Sequence, residues 1–230
     1  MKVKERSKEL FQHYCQLRGY RCSPIKTSDQ QGVRTPDFEV IANETRVIAE
    51  TKDVTANEDD IRLWRKERAG RIVVHSREPG KRARYLINAA RGQLRTSAQA
   101  GVPSVVILCD NIIVDGIRVE RAFPFTPLTM TDIDVALYGL WQANVRIHPG
   151  ARRESLGDTR SPRRWLHNRQ IVSAVVVLNE SPDNIGLFTI SYHNYWASVP
   201  LPRNVFDGED DFHFTKTTNP DIRPNDWVRI

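Results

Sequence analysis

Apolar positions recur every three or four residues in some stretches of the chain and every second residue in others, and this alternation lays out the elements. Leu10, Phe11, Tyr14 and Leu17 share one side of a helix expected over residues 4–18, with Gly19 just past its end. A short strand is expected around Tyr20 to Lys26, then a polar loop over 28–34, then two strands at about 36–42 and 45–54. The clearest helix covers 81–100: Ala83, Leu86, Ile87, Ala90, Leu94 and Ala98 follow helical spacing, and Gly101-Val102-Pro103 closes it. Ser104 to Cys109 reads as a buried strand and Asn111 to Val119 as a hairpin arm around Asp115-Gly116. A further helix is expected over 131–142, capped by Thr131 or Asp132, and strands at about 171–179 and 186–193 flank a Ser181-Pro182-Asp183-Asn184 turn. The early order, α-β-β-β-α-β, predicts a mixed α/β domain with a helix on each face of a central sheet, followed by a β-rich C-terminal extension.

Composition narrows the setting. A chain of 230 residues holds one sizeable core, or a core plus an appended subdomain. No stretch approaches the roughly 20 apolar residues of a membrane span. The charged start, Met1 to Arg6, leads straight into an amphipathic pattern, so the expected location is the cytoplasm. Cys15, Cys22 and Cys109 are scattered and odd in number; they make no disulfide framework or CxxC metal knot and are expected as buried free thiols. The net charge of +6, with arginine well ahead of lysine, suits a polyanionic partner. Much of it gathers over 146–170, where Arg160, Arg163 and Arg164 stand with four further arginines among glycines and prolines, an expected exposed basic loop.

The chemistry is concentrated in residues 35–52. Side chains alternate faces along a strand, so Val47, Ala49 and Thr51 share one face while Glu50 and Lys52 share the other; Phe38 and Val40 face away from Asp37. If Asn43-Glu44 is a two-residue hairpin loop, Ala42 pairs with Thr45, Val40 with Val47 and Phe38 with Ala49, and Asp37 falls opposite Glu50. Two carboxylates so placed repel unless a positive charge sits between them, and a hard divalent cation such as magnesium suits that position. Lys52, one step along the same face, would orient water or offset charge growing on a phosphate. Asp37 and Lys52 are both expected to be exposed at the sheet edge.

Pro36-Asp37 and Glu50-Thr51-Lys52, with an apolar run ahead of the Glu, resemble the PD-(D/E)xK motif of the restriction-endonuclease-like nucleases. The likeness covers about the first 110 residues; it implies a nuclease-like core over 1–120, with 121–230 as an extension carrying the basic loop 146–169. It implies Asp37, Glu50 and Lys52 as catalytic residues, Asp37 and Glu50 as ligands of magnesium (or manganese in its place), and nucleic acid, DNA foremost, as substrate. A homodimer or a partner subunit is compatible with it. Many members carry a further metal-binding Glu on the inward side of the first helix. Here phasing puts Ser7 at that position, with Glu5 and Glu9 off the apolar face; either could serve if the helix is rotated, and otherwise a single-metal site on Asp37 and Glu50 is expected.

On the helix expected over 81–100, Gln93 resembles a polar residue that such nucleases place near the active site, and it is expected among the nucleic-acid-binding residues. Arg84, Arg91 and Arg95 form a stripe opposite the apolar face, a candidate nucleic-acid contact alongside Arg160, Arg163 and Arg164. No phosphate-cradling Gly-rich loop, GxSxG elbow or HxxxH spacing is present, and His167 and His193 read as structural. Alternative readings are a catalytically silent nuclease fold that binds nucleic acid, and a subunit of a larger complex.

Overall fold

The computed structural model describes residues 6–26, 35–71, 80–115, 117–118, 128, 130–138, 143–144, 155–156, 170–180, 186–216 and 227–230. Helix α1 (Arg6–Leu17) is followed by strands β1 (Arg21–Pro24), β2 (Phe38–Ala42) and β3 (Thr45–Val54). Helices α2 (Glu58–Arg68) and α3 (Lys81–Gln99) lead to β4 (Ser104–Asp110) and a small hairpin of β5 (Ile113–Val114) and β6 (Ile117–Arg118). Helix α4 (Met130–Tyr138) precedes the two-residue strands β7 (Ala143–Asn144) and β8 (Ser155–Leu156). Strands β9 (Ala174–Glu180), β10 (Leu187–His193), β11 (Phe212–Lys216) and β12 (Trp227–Arg229) complete the chain.

One mixed sheet of eight strands organises these elements, in the order β1-β2-β3-β4-β9-β10-β11-β12. The pairs β1·β2, β2·β3, β9·β10 and β11·β12 are antiparallel, whereas β3·β4, β4·β9 and β10·β11 are parallel. Four strands of this sheet come from the residues read in sequence as an extension. The expected α-β-β-β-α-β order holds for α1, β1–β3, α3 and β4, and α2 is inserted before α3.

Alternation along β3 divides the core in two. Val47 and Ala49 pack with Phe11, Tyr14, Phe38 and Phe206 on the α1 side. Ile48 points the other way, into a cluster with Ala83, Ile87 and Leu94 of α3 and Ile133 and Leu137 of α4. Fully burying an Ile or Leu of this kind stabilises by roughly 1.5–3 kcal/mol. Helices α1 and α3 both stop where the sequence places a glycine. Gly19 (φ 70°) and Gly101 (φ 73°) adopt the left-handed conformation that lets the chain turn back. The next residues then reach the carbonyls left open by each last turn: Tyr20 N–H donates to Cys15 O at 2.8 Å and Val102 N–H to Ser97 O at 3.0 Å.

The β2–β3 register is the one expected: Phe38 pairs with Ala49, Val40 with Val47 and Ala42 with Thr45. Its two-residue turn contains no glycine, yet Asn43 (φ 46°) and Glu44 (φ 65°) are both left-handed. The Asn43 side chain donates to Asn204 O at 2.6 Å, tying the turn to a distant segment.

Other expectations are corrected or bounded. Cys15 and Cys109 are buried free thiols, but Cys22 is only half-buried. The helix expected over 131–142 begins at Met130 and is described to Tyr138; residues 139–142 lie outside the described residues. Of the basic loop 146–169, only the backbone of Ser155–Leu156, paired with β7, is described; Arg160, Arg163 and Arg164 lie outside the described residues. No helix among them is long and apolar enough to cross a membrane.

A buried ion pair sits in the C-terminal half, with Lys216 Nζ 2.8 Å from Asp134 Oδ1 and side chains 0% and 3% exposed. The ammonium also lies 4.5 Å from the centre of the Trp227 ring. Burial pushes the Asp134 carboxyl up to about 6, against the lowering influence of Lys216. Two outcomes are expected in urea unfolding. Asp134→Ala, which removes the carboxylate beside the buried ammonium, destabilises by about 3–5 kcal/mol, whereas joint replacement by Leu at 134 and Met at 216 is far milder. Glu44→Gly, which relieves a left-handed non-glycine residue at an exposed position, raises the midpoint, by about 0.5–1 kcal/mol of stability.

Candidate active site

The C-terminal half of β3 carries the candidate residues because β3 is an interior strand and its side chains have only two directions to take. Beyond Ile48, the α3-facing positions are Glu50 and Lys52. Glu50 is 1% exposed, so its charge must be met by the protein. Lys52 Nζ donates to Glu50 Oε1, and the Asp37 backbone N–H donates to Glu50 Oε2 at 3.1 Å. Helix α3 closes the arrangement through Gln93. Its Oε1 lies 3.5 Å from Lys52 Nζ, and its Nε2 donates to Thr35 O at 3.0 Å. Glu50, Lys52, Gln93 and the Asp37 backbone therefore meet, as the strand register and helix phase require.

The Asp37 carboxylate departs from expectation. It accepts from Thr51 and turns towards α1, while its charge still reaches the Glu50 carboxyl. The last paired residues of β2 and β3 are Phe38 and Ala49. Beyond them the Thr51 N–H has no strand partner on that side, and it donates instead to Asp37 Oδ2 at 2.9 Å, with Thr51 Oγ donating to the same oxygen at 2.8 Å. Asp37 Oδ1 is 2.6 Å from Lys8 Nζ of α1. Exposure is also lower than expected for a strand end: the Asp37 side chain is 10% and that of Lys52 23% exposed.

Burial acts in the same direction on two carboxyls of β3. Burial raises the Glu50 pKa above the ordinary glutamate value. Lys52 pulls it back, the Asp37 charge adds to the rise, and Gln93 lowers it. Asp53, on the α1 side, is likewise raised by burial, offset by Ser7 and Asn111. Ser7 Oγ donates to Asp53 Oδ2 at 3.0 Å and Asn111 Nδ2 to Oδ1 at 3.4 Å. The inward position of Ser7 is as the phasing required; Glu9 is exposed and Glu5 lies outside the described residues. Among the described residues no group of three or more His, Cys, Asp or Glu side chains gathers as metal ligands. Asp37 and Glu50 offer carboxylate oxygens alone, a donor set for a hard cation that retains several waters.

On α3, Arg95 is exposed, whereas Arg84 and Arg91 are half-buried and engaged within the protein, so no uniformly free arginine stripe forms. A shallow cleft of about 470 Å³ runs along α2 instead, lined by Arg62, Arg65, Lys66 and Arg71 with Glu58 and Ile61. Neither Lys8 nor this helix was a sequence candidate. The signal for α2 is its capping box, in which Asn57 and Asp60 exchange side chain-to-backbone bonds of 2.8 and 3.0 Å. His193 is structural: its Nε2 lies 2.8 Å from His213 Nδ1, and burial, then His213, hold its pKa down to about 4.

Comparison with protein-family models, with curated proteins and with solved structures finds no match, and the functional reading rests on the site's own geometry.

Removing Lys52 tests these electrostatics. In Lys52→Met, Glu50 is expected to titrate at higher pH than in the wild type, followed by carboxyl carbon NMR. A group whose folded pKa lies above its unfolded value contributes stability below the unfolded pKa and loses it as pH rises through the folded one. The variant's stability deficit should therefore widen from acid towards neutral pH; a deficit independent of pH would show that Lys52 does not compensate Glu50.

Proposed function

We propose that the chain is a divalent-metal-dependent nuclease of the cytoplasm that hydrolyses DNA phosphodiester bonds, with a restriction-endonuclease-like core and magnesium, or manganese in its place, held by Asp37 and Glu50. The observation that carries this reading is the convergence of Glu50, Lys52, Gln93 and the Asp37 backbone on β3. The order α1, β1–β3, α3, β4, with β3 and β4 parallel, supports it. So does the chemistry of the donors: two carboxylates without sulfur or imidazole, one of them buried and carrying a raised pKa.

When bound, the cation supplies Lewis-acid activation of water and of the phosphate. The other contributions come from the chain. Lys52 is held between Glu50 and Gln93, so its ammonium is fixed before substrate arrives and would meet negative charge growing on the phosphate. Gln93 is itself braced by the Thr35 carbonyl, so α3 helps to set the direction of Lys52. Thr51 fixes one oxygen of Asp37 by two bonds and leaves the other turned towards solvent-accessible Lys8. Arg160, Arg163 and Arg164 would contact the phosphate backbone.

A second reading has its own observation: both oxygens of Asp37 and both of Glu50 already meet a protein donor. That is what a catalytically silent fold, binding nucleic acid or serving a larger complex, would also display. Plasmid and linear DNA, incubated with magnesium, manganese or EDTA, separate the two. The expected result is metal-dependent cleavage reduced at least about 100-fold in Asp37→Asn and Lys52→Met, with both variants folded by circular dichroism. Cleavage equal in wild type and variants would remove these residues from the active site. Salt-sensitive binding without cleavage would favour the silent fold.

A further inference from the structure

Three consecutive residues of the first turn of α1 each hold a carboxylate from elsewhere in the chain. Arg6 Nη2 donates to Glu180 at 3.1 and 3.2 Å, Ser7 Oγ to Asp53 at 3.0 Å, and Lys8 Nζ lies 2.6 Å from Asp37 Oδ1. The first two contacts fix the turn: Arg6 reaches the end of β9, and buried Ser7 sits against β3 one residue beyond Lys52. Lys8 differs from both. Its side chain is 46% exposed, and its carboxylate partner is already oriented by two bonds from Thr51 to the other oxygen. The Lys8 contact is thus not required to place Asp37. It supplies charge to Oδ1, and with its lysine half in solvent such a pair is of modest strength.

We propose that Lys8 is the resident counter-ion of the site: a positioning residue that holds Asp37 Oδ1 in the metal-free protein and yields that oxygen to a divalent cation. This rests on the assignment of Asp37 as a metal ligand. Lys8 and the cation compete for one oxygen, so apparent affinity for the cation equals the intrinsic affinity reduced by the fraction of molecules in which Lys8 stands aside. Thr51 keeps the carboxylate in place throughout, so the exchange at Oδ1 leaves the strand where it is.

The test is titration with manganese alone, by calorimetry or by the manganese electron-spin signal, of wild type, Lys8→Met, Lys8→Arg, Lys81→Met and Asp37→Asn. The expected result is about three- to tenfold tighter binding in Lys8→Met. Lys8→Arg should stay near wild type, and Lys81→Met, which removes an exposed charge from the start of α3, should be unchanged. A purely structural lysine would lower affinity or leave it alone on removal, and either result, with binding still dependent on Asp37, overturns the role of Lys8 while sparing the metal assignment. An equal gain in Lys81→Met would trace the effect to overall charge and overturn it as well. Wild type binding no tighter than Asp37→Asn overturns the metal assignment, and the inference with it.

Discussion

The pairing register of β2 on β3 is the constraint on which the candidate site depends. Side chains alternate strictly along a strand, so a slip of one residue would carry Glu50 and Lys52 into the aromatic cluster beneath α1 and turn Val47 and Ala49 towards α3. A charged pair would then sit where Phe11 and Phe206 now pack. The turn that sets this register is made of Asn43 and Glu44 in left-handed backbone, without the usual glycine. It is held from outside, by the Asn43 side chain on the Asn204 carbonyl and by burial of Phe38, Val40 and Ala42. Packing and one distant hydrogen bond hold a conformation that local preference resists.

Three buried carboxylates among the described residues meet their charge in different ways. Asp211 receives donors from Tyr14, Thr189 and Gly208 and an ion pair from Arg18, so its carboxylate is surrounded. Asp134 has Lys216 beneath aromatic rings. Glu50 has one ammonium, one backbone N–H and a nearby like charge, and burial still holds its pKa above the usual range. The first two arrangements serve packing, joining elements far apart in sequence. The third joins buried Glu50 to Lys52, whose side chain is 23% exposed, so this charge lies close to solvent.

Much of this was legible in the sequence wherever an element has a single apolar face. The helices α1 and α3, the hairpin and its register, and β4 follow from spacing alone, and so does the meeting of Glu50 with Lys52. Helix α2 was not legible because Ile61, Leu63 and Trp64 are too few to set a period among its charges. Its start is marked by Asn57 and Asp60, a short-range signal that hydrophobic counting passes over. Strands β11 and β12 mix aromatic, polar and charged residues, and buried Lys216 becomes intelligible only once Asp134 is brought to it by the fold. The direction of Asp37 was misread for a related reason. Alternation applies inside a ladder, but Asp37 lies just past its end, where the free Thr51 N–H competes for the carboxylate.

The parallel pairing of β4 with β9 also bears on how quickly the protein assembles. Val105 lies beside Ala174, across a long intervening stretch of chain. By contrast, the β2–β3 hairpin closes through neighbours, and β4 reaches β3 after the helices α2 and α3. Non-local strand pairing of this kind slows folding, because the entropy of closing the loop is lost before the contacts that compensate it have formed. The hairpin with Asp37 and Glu50 can therefore form early, while Asn204, the anchor of its turn, arrives only with the late strands. During synthesis, the charged end of β3 emerges well before the half of the sheet that buries β4, leaving an apolar strand edge in need of cover for that interval.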